Sequence, residues 1–363
     1  LTSGFDCVTH PGKIFDVLLA GYFGFGNLGD ELLLEAALKN LKERGVPRDR
    51  IAALSNDVEE TRSRFGIEAF NRWNVRAIWR ALGESRSMVL PGGGLFQDAT
   101  SFRSCVYYWG LVRAAAVKSM PVAAIGQSVG PLSGKFAGLL TRNALAKCSY
   151  LAVRDLHSEK ILSSMGIPCE VMPDPVLSLE VEDIPFGSAV LVNVRPTPRP
   201  DVYLRPVTRA AKIFFDSGVE LIGVALSSED ATLMRDLKKS GELPVREIFS
   251  PKNLAEFIEI AGGARAAVGM RLHFGILSAL CGLGLALSPY DPKVSSFAEA
   301  WGVIQLKNEE SGENFDIMRL LTNSRFGDKK NFAESRSLVG IQFQRVLERI
   351  LGENYGPGKT RRV

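Results

Sequence analysis

Lys13-Ile-Phe-Asp-Val-Leu-Leu-Ala20, followed at once by Gly21-Tyr-Phe-Gly-Phe-Gly-Asn-Leu-Gly-Asp-Glu31, decides the fold. The first piece is a short, nearly continuous apolar run, the pattern of a strand covered on both faces of a parallel sheet. The second is a glycine-rich turn. From Asp30 to Arg44 the residues Leu32, Leu33, Ala36, Leu38 and Leu41 then recur at a mostly helical spacing. Strand, glycine turn and helix form the opening unit of a doubly wound α/β sheet, whose ligands bind beyond the carboxyl ends of the strands. Glycines there let a ligand approach the backbone, and a helix amino terminus favours anions. The run imitates a dinucleotide fingerprint, but Asp30 and Glu31 at the helix start would repel a pyrophosphate. Asn27 and Asp30 suit sugar hydroxyls better, and the competing reading makes Asp30 a plain helix cap.

Working outward, short apolar runs keep alternating with helical segments. Strands are expected at 51–54, 87–90, 122–125, 150–153 and 170–172, with helices around Arg76 and over 106–118, 135–147 and 158–165. The proline- and acid-rich stretch from Met172-Pro-Asp-Pro175 to Phe186-Gly187 interrupts this rhythm and marks a boundary. A second set follows, with strands at 189–194, 220–225, 266–269 and 284–287 and helices near 206–215, 229–239, 253–260 and 271–281. The expected architecture is α/β: two Rossmann-like doubly wound domains, 14–180 and 186–330, facing across a cleft. A closing helix is expected at 331–352, and 1–13 and 353–363 as loose ends outside the fold. A length of 363 residues suits two domains at ~150 residues each.

Composition removes several classes. Hydrophobic residues make up 46% and charged residues 23%, as in an ordinary globular chain, which excludes disordered, collagen-like and coiled-coil readings. The 44 Lys and Arg against 40 Asp and Glu are spread along the chain, so no nucleic-acid partner is expected; the cluster Lys359, Arg361, Arg362 is short. Five scattered cysteines with no C-x-x-C pair and no clustered histidine point to neither a disulfide framework nor a metal, and fit a reducing cytoplasm. The most apolar stretch, Phe274 to Pro289, carries Ser278 and three glycines and is shorter than the ~20 residues a membrane span needs.

Two further glycine-bearing segments repeat the first one's logic. In Leu90-Pro-Gly-Gly-Gly-Leu-Phe-Gln-Asp98, consecutive glycines expose backbone N–H groups, with Gly93 and Gly94 beside the polar Gln97 and Asp98. Ile125-Gly-Gln-Ser-Val-Gly-Pro131 offers Gln127 and Ser128. Each alone is ordinary turn chemistry, but three on consecutive strands of one sheet share one edge, where ligands bind. Val153-Arg154-Asp155 ends a strand, so Arg154 is a clamp for a carboxylate or phosphate, or else a surface partner of Asp155. Arg195 in Val192-Asn-Val-Arg-Pro196 would reach into the cleft from the other domain. In Val268-Gly-Met-Arg-Leu-His-Phe-Gly275, Arg271 and His273 stand at the amino end of an apolar helix. Of the three histidines, His10 lies in the head and His157 beside Asp155, which leaves His273 as the acid–base candidate over a merely structural histidine. Lys293 in Ser288-Pro-Tyr-Asp-Pro-Lys293 follows the next strand, either at the same edge or as a solvated loop lysine.

Read together, G-N-L-G-D-E at Gly26–Glu31, P-G-G-G-L-F-Q-D at Pro91–Asp98, G-Q-S-V-G-P at Gly126–Pro131, V-R-D at Val153–Asp155, D-P at Asp174 and Pro175, and R-L-H at Arg271–His273 resemble the polysaccharide pyruvyl transferases, especially the bacterial cell-wall branch. The resemblance runs in order from about Ile14 to Gly302. It implies a GT-B-like fold, phosphoenolpyruvate as donor substrate with no separate cofactor, and a pair of sugar hydroxyls as acceptor. It places Arg271 and His273 in the donor site, with Lys293 and Arg154 as partners. It also implies a lipid-linked or nucleotide-linked glycan acceptor in the cytoplasm, with peripheral attachment to the inner membrane face through basic residues and no span.

The chemistry agrees with these residue types. A donor bearing a carboxylate and a phosphate needs several cations or helix-end amides. Its enol ether is inert until protonated, and protonated His273 would deliver that proton. Two rivals remain. A nucleotide-sugar glycosyltransferase of the same shape would need a base-stacking and diphosphate site in the second domain, and no decisive nucleotide motif is present. A noncatalytic sugar-phosphate binding protein would have no need of an intact Arg271 and His273.

Overall fold

A computed structural model describes residues 13–98, 102–307, 313–322, 326 and 329–352. The first half contains strands β1 (Phe15–Ala20), β2 (Ile51–Ser55), β3 (Glu68–Asn71), β4 (Ser85–Leu90), β5 (Gly93–Phe96), β6 (Val122–Val129), β7 (Tyr150–Val153) and β8 (Glu170–Val171). Helices α1 (Leu28–Glu43), α2 (Val58–Phe65), α3 (Val75–Glu84), α4 (Phe102–Val117), α5 (Lys135–Leu145) and α6 (Leu156–Ser164) alternate with them. All pairings are parallel, in the order β3-β2-β1-β4-β6-β7-β8, with β5 also on β6. The order turns outward on either side of β1 and β4. That reversal opens a crevice at the strands' carboxyl ends, which is where Gly21–Asn27 and Pro91–Gly94 lie.

The second half contains β9 (Ala189–Asn193), β10 (Leu221–Val224), β11 (Glu247–Phe249), β12 (Ala264–Gly269), β13 (Gly284–Leu287) and β14 (Ile304–Gln305). They form a second all-parallel sheet ordered β11-β10-β9-β12-β13-β14. Its helices are α7 (Pro200–Asp216), α8 (Ser228–Ser240), α9 (Leu254–Ala261), α10 (Leu272–Leu280), α11 (Pro292–Trp301) and α12 (Glu313–Thr322). Between the sheets, Pro175–Ser178 form a single 3-10 turn capped by the Asp174 side chain.

The halves are joined by packing as well as by chain. Leu28, Leu32 and Leu33 of α1 share one apolar core with Leu272, Ile276 and Leu277 of α10, and the Leu28 amide donates to the Leu226 carbonyl at 2.9 Å. The last helix, α13 (Lys329–Leu351), leaves the second half and buries Val339, Phe343, Val346 and Leu347 against β1 residues Val17 and Leu19. Large apolar side chains buried on both partners hold this geometry, at roughly 25 cal/mol per Å² of apolar surface.

Several sequence expectations are corrected. Asp30 does not cap α1: Asn27 does, its Oδ1 accepting from the Gly29 amide at 3.3 Å, and Asp30 lies one turn inside. Residues 126–129 are not a loop after the strand expected at 122–125 but its continuation within β6, and Gly93–Phe96 is itself a strand paired alongside. Two glycines with φ of +130° and +101°, Gly92 and Gly93, make the kink between β4 and β5 that only glycine tolerates. Helix α7 begins at Pro200, six residues before the proline expected to start it; Pro206 gives up one backbone bond and turns its ring into the core. The short edge strands β3, β11 and β14 and the helices α2, α11 and α12 escaped the pattern reading, because their few apolar residues set no clear period. The candidate loose ends 1–12 and 353–363, and with them His10 and Lys359, Arg361 and Arg362, lie outside the described residues.

Candidate active site between the two sheets

The crevice is built around Asp30. Its carboxylate accepts from Asn27 Nδ2 at 2.5 Å, and burial raises its pKa against the pull of His273, Arg154, Arg271 and Lys293, four basic groups from both halves. A side chain at Gly93 would stand 3.5 Å from Asp30 Oδ1, and one at Gly94 would stand 3.8 Å from Lys293 Nζ. The glycine triplet therefore brings bare backbone against Asp30 of its own half and Lys293 of the other. The adjacent Glu31 points away: it accepts from the Gly24 amide at 2.8 Å, and burial pushes its carboxyl up to about 7. Glu31 thus shapes the glycine turn, and the charge repulsion expected of it is reduced.

His273 occupies the first turn of α10 and is pressed against the other half. A Cβ on Gly29 would lie 2.1 Å from His273 Nδ1. His273 Nε2 lies 3.7 Å from Asp174 Oδ2 and is a buried nitrogen with no hydrogen-bond partner among the described residues. Asp174 is in turn fixed by Arg154 Nη1 at 2.6 Å and by the Val176 amide at 2.9 Å. Burial opposes the Asp174 charge, but Arg154 and then His273 outweigh it and hold the carboxyl well below the usual range.

The other cations are also committed to carboxylates. Arg271 makes a bidentate pair with the fully buried Asp230, both contacts 2.6 Å, and donates to Ser227 Oγ at 2.8 Å. Burial would lower the Arg271 pKa, but Asp230 reverses the direction and raises it. Lys293 Nζ contacts Asp291 Oδ2 at 2.8 Å, and Asp291 caps α11. Arg154, Arg271 and Lys293 thus each carry a carboxylate partner within the protein. A guanidinium in so dry a place needs a counter-charge to stay ionised. The expected Arg154–Asp155 surface pair is also replaced: Asp155 caps α6 and accepts from Ser128 Oγ at 2.8 Å, while Arg154 turns to Asp174.

The remaining candidates separate into two groups. Ser128 joins the cluster, its Oγ accepting from Arg154 Nε at 2.8 Å. Arg195 stands behind it: its guanidinium lies 4.7 Å over the Tyr290 ring and donates to the Tyr290 hydroxyl at 2.7 Å, so Tyr290 is interposed. Gln127 is fully buried and ties β6 to β4 by donating to the Leu90 carbonyl at 3.0 Å. Asp98 accepts from the Ser133 and Gly134 amides at 2.7–2.9 Å, which makes it a loop clamp, and Gln97 lies beside it on the same rim, with its carbonyl accepting from Cys105 Sγ at 3.4 Å. Gln127 pairs in register with Gly93, next to Asp30, and its Oε1 is buried with no hydrogen-bond partner among the described residues.

Beside the cluster opens a cavity of about 1000 Å³ whose walls include Arg154, Asp174, Tyr290, Lys293, Phe297 and Trp301. Among the described residues, no group of three or more His, Cys, Asp or Glu is placed to hold a metal ion. Likewise, no described helix is long and apolar enough to cross a membrane. Sequence reading missed Asp230, Gly29 and the role of Asp174. Ser227-x-x-Asp230 carried only a helix-start signal, and its pairing with Arg271 spans 41 residues that no local pattern connects.

Two Rossmann-like halves with a charged crevice between them define the GT-B class, and solved structures share that fold. The UDP-GlcNAc 2-epimerase of Methanocaldococcus jannaschii in complex with UDP-GlcNAc and UDP matches with a TM-score of 0.58 at 11% identity, over 91% of this chain and 99% of that one. The Neisseria meningitidis UDP-GlcNAc 2-epimerase bound to UDP-GlcNAc matches at 0.55 and 12%, over 93% and 100%. S. aureus MnaA with UDP matches at 0.59 and 10%, over 96% and 100%. No curated protein matches the chain. The polysaccharide pyruvyl transferase family model matches residues 27–283, more than half of the sequence, and the chain belongs to that family.

Proposed function

We propose that the protein transfers a pyruvyl group from phosphoenolpyruvate to two hydroxyls of one sugar in a cell-wall or secondary polysaccharide precursor, forming a cyclic ketal. The observation that carries this reading is His273, an imidazole of the second half held against Gly29 and Asp174 of the first, at the charged crevice between them. Phosphoenolpyruvate brings a carboxylate and a phosphate. Lys293 and Arg154, both on the cavity wall, and the glycine-loop amides supply the matching charge and N–H groups.

Protonated His273 donates to the methylene carbon, which becomes a methyl group, and C2 becomes an oxocarbenium centre. Asp174 steadies the imidazolium before transfer. An acceptor hydroxyl then adds to C2 and loses its proton to Asp30, whose burial-raised pKa equips it as a base. Phosphate leaves C2 with its bonding electrons, the second hydroxyl closes the ketal, and its proton goes to solvent. Arg271, locked to Asp230, holds the turn that carries His273 in place and adds positive potential near the departing phosphate. The acceptor on this reading is lipid-linked or nucleotide-linked, met in the cytoplasm or at the inner membrane face.

The test is phosphate release from phosphoenolpyruvate with a panel of glycan acceptors, comparing the wild type with His273→Gln. Acceptor-dependent release that the variant loses by about 10²-fold or more supports the assignment, given the usual size of general-acid contributions. Near-normal turnover in the variant removes His273 as the acid. Release of a nucleoside diphosphate from a sugar donor, with none of phosphate, replaces the reading by nucleotide-sugar transfer.

A further inference from the structure

One surface feature is not used by the donor chemistry. The glycine turn after β1 carries Tyr22 and Phe25, whose rings stack at 3.9 Å with 7° between planes; Phe25 meets Trp73 edge-on at 6.3 Å. Tyr22 is 42% and Trp73 60% exposed, although aromatic rings ordinarily bury such area. The rings are nevertheless held in place. The Arg72 guanidinium, itself nearly buried, lies 5.1 Å from the Phe25 ring, 5.3 Å from Trp73 and 5.8 Å from Tyr22, and it donates to the Gly21 carbonyl at 2.6 Å. Trp73 Nε1 donates to Asn56 Oδ1 at 2.8 Å, and Asn56 Nδ2 donates to the Gly24 carbonyl at 3.0 Å. One buried cation and one asparagine thus fix three rings that the fold leaves facing water, at the cost of exposed apolar surface.

The patch runs into the crevice. The Tyr22 phenol has its pKa raised by burial and then by Asp30, against Arg72, with Glu229 of the second half adding to the rise. The turn that carries Tyr22 and Phe25 ends at Asn27, whose Nδ2 donates to Asp30 at the crevice's centre. Flat ring faces beside carboxylates match a pyranose, whose C–H face stacks on an aromatic ring while its hydroxyls donate to carboxylates. The same carboxylates repel the diphosphate of a nucleotide. We propose that Tyr22, Phe25 and Trp73 form a stacking platform for a sugar ring of the acceptor glycan and deliver its hydroxyls to Asp30. This inference rests on the acceptor half of the proposed function and is independent of the donor half.

The experiment uses the full chain on an array of oligosaccharides from bacterial surface polysaccharides, without phosphoenolpyruvate, with UDP titrated in parallel. Tyr22→Ala and Trp73→Ala are compared with Trp73→Tyr, which keeps a flat ring; both target residues are exposed, and melting curves confirm that the variants fold. The expected result is glycan binding weakened about tenfold in each alanine variant and largely restored in Trp73→Tyr, the usual scale for one stacked ring. In turnover assays the acceptor KM rises in the alanine variants while the phosphoenolpyruvate KM holds. Glycan binding or acceptor KM unaltered in both alanine variants, no glycan bound, or Trp73-dependent binding of UDP alone overturns the platform. Trp73-dependent glycan binding without any phosphate release keeps the platform and defeats the donor assignment; release with an unaltered acceptor KM does the reverse.

Discussion

Gly29 offers a direct way to disturb His273 without touching it. In Gly29→Ala the new methyl carbon is placed 2.1 Å from His273 Nδ1, 2.7 Å from its Cγ and 3.0 Å from its Cβ. Ordinary contact begins near 3.4 Å, so the ring must retreat by about 1.3 Å. Rotation about the Cα–Cβ bond swings Nδ1 and Cγ away and so displaces the imidazole, while Cβ, which that rotation does not move, stays at 3.0 Å and needs a few tenths of an ångström more. The start of α10 must move away from α1, and the apolar core shared by Leu28, Leu32, Leu272 and Ile276 resists that. Backbone strain is not the cause of any loss: Gly29 lies outside the left-handed region, and alanine is the better helix former by up to about 1 kcal/mol. A reacting group misplaced by about 1 Å typically loses some 10²-fold in rate. The expected outcome is therefore a folded variant, melting within a few degrees of the wild type, whose phosphate release from phosphoenolpyruvate falls by about that factor. The measurements are a thermal melt and a steady-state phosphate assay on the same preparation. Turnover within a few-fold of wild type would refute the reasoning, since the imidazole could then move without consequence.

Two further expectations concern charge. Asp174 is depressed by Arg154 and His273, so its pair contributes stability above the unfolded carboxyl pKa near 3.9 and loses it as pH falls toward the folded value. Asp174→Asn should cost about 3–5 kcal/mol at pH 7, and the gap to wild type should narrow below about pH 4, as read by chemical denaturation at both pH values. Glu31 has the opposite sign: raised from 4.5 to about 7, it leaves stability full below the unfolded pKa and declining as pH climbs to about 7. Glu31→Gln keeps an acceptor for the Gly24 amide and should be more stable than wild type at pH 8, by up to ~3 kcal/mol, and nearly flat between pH 5 and 8; a parallel pH profile in both proteins would remove Glu31 as the cause.

What could be read from the chain followed physical range. The run Phe15–Ala20 and its glycine turn were legible because a central strand and a strand-to-helix turn are set by neighbouring residues. That the three strands carrying the glycine segments adjoin also followed, since β1, β4 and β6 are neighbours in the sheet. His273 and Arg271 were legible as polar residues interrupting an apolar strand and helix. The partners were not: Asp174 for Arg154 and Asp230 for Arg271 are contacts made only once the sheets assemble. Asp30 looked like a cap because aspartate often is one, and only the geometry shows Asn27 taking that place three residues earlier. Gln127 and Asp98 belonged to the right motifs; Asp98 and the Gln127 amide nitrogen hold backbone, while Gln127 Oε1 is buried with no hydrogen-bond partner among the described residues.

The carboxylate partners change what donor binding must accomplish. Arg154, Arg271 and Lys293 are each balanced by a carboxylate, and Asp30 stands among them. A multiply charged anion entering this crevice adds negative charge beside Asp30 and Asp174, which further raises the Asp30 pKa. On the proposed mechanism, donor binding thus strengthens Asp30 as the base for the acceptor hydroxyl. An array of unpaired cations would do the opposite: it would hold the anion more tightly and lower the Asp30 pKa. The ion pairs therefore weaken ground-state grip on the phosphate while keeping Asp30 basic, and tight grip shared equally by substrate and transition state gives no acceleration.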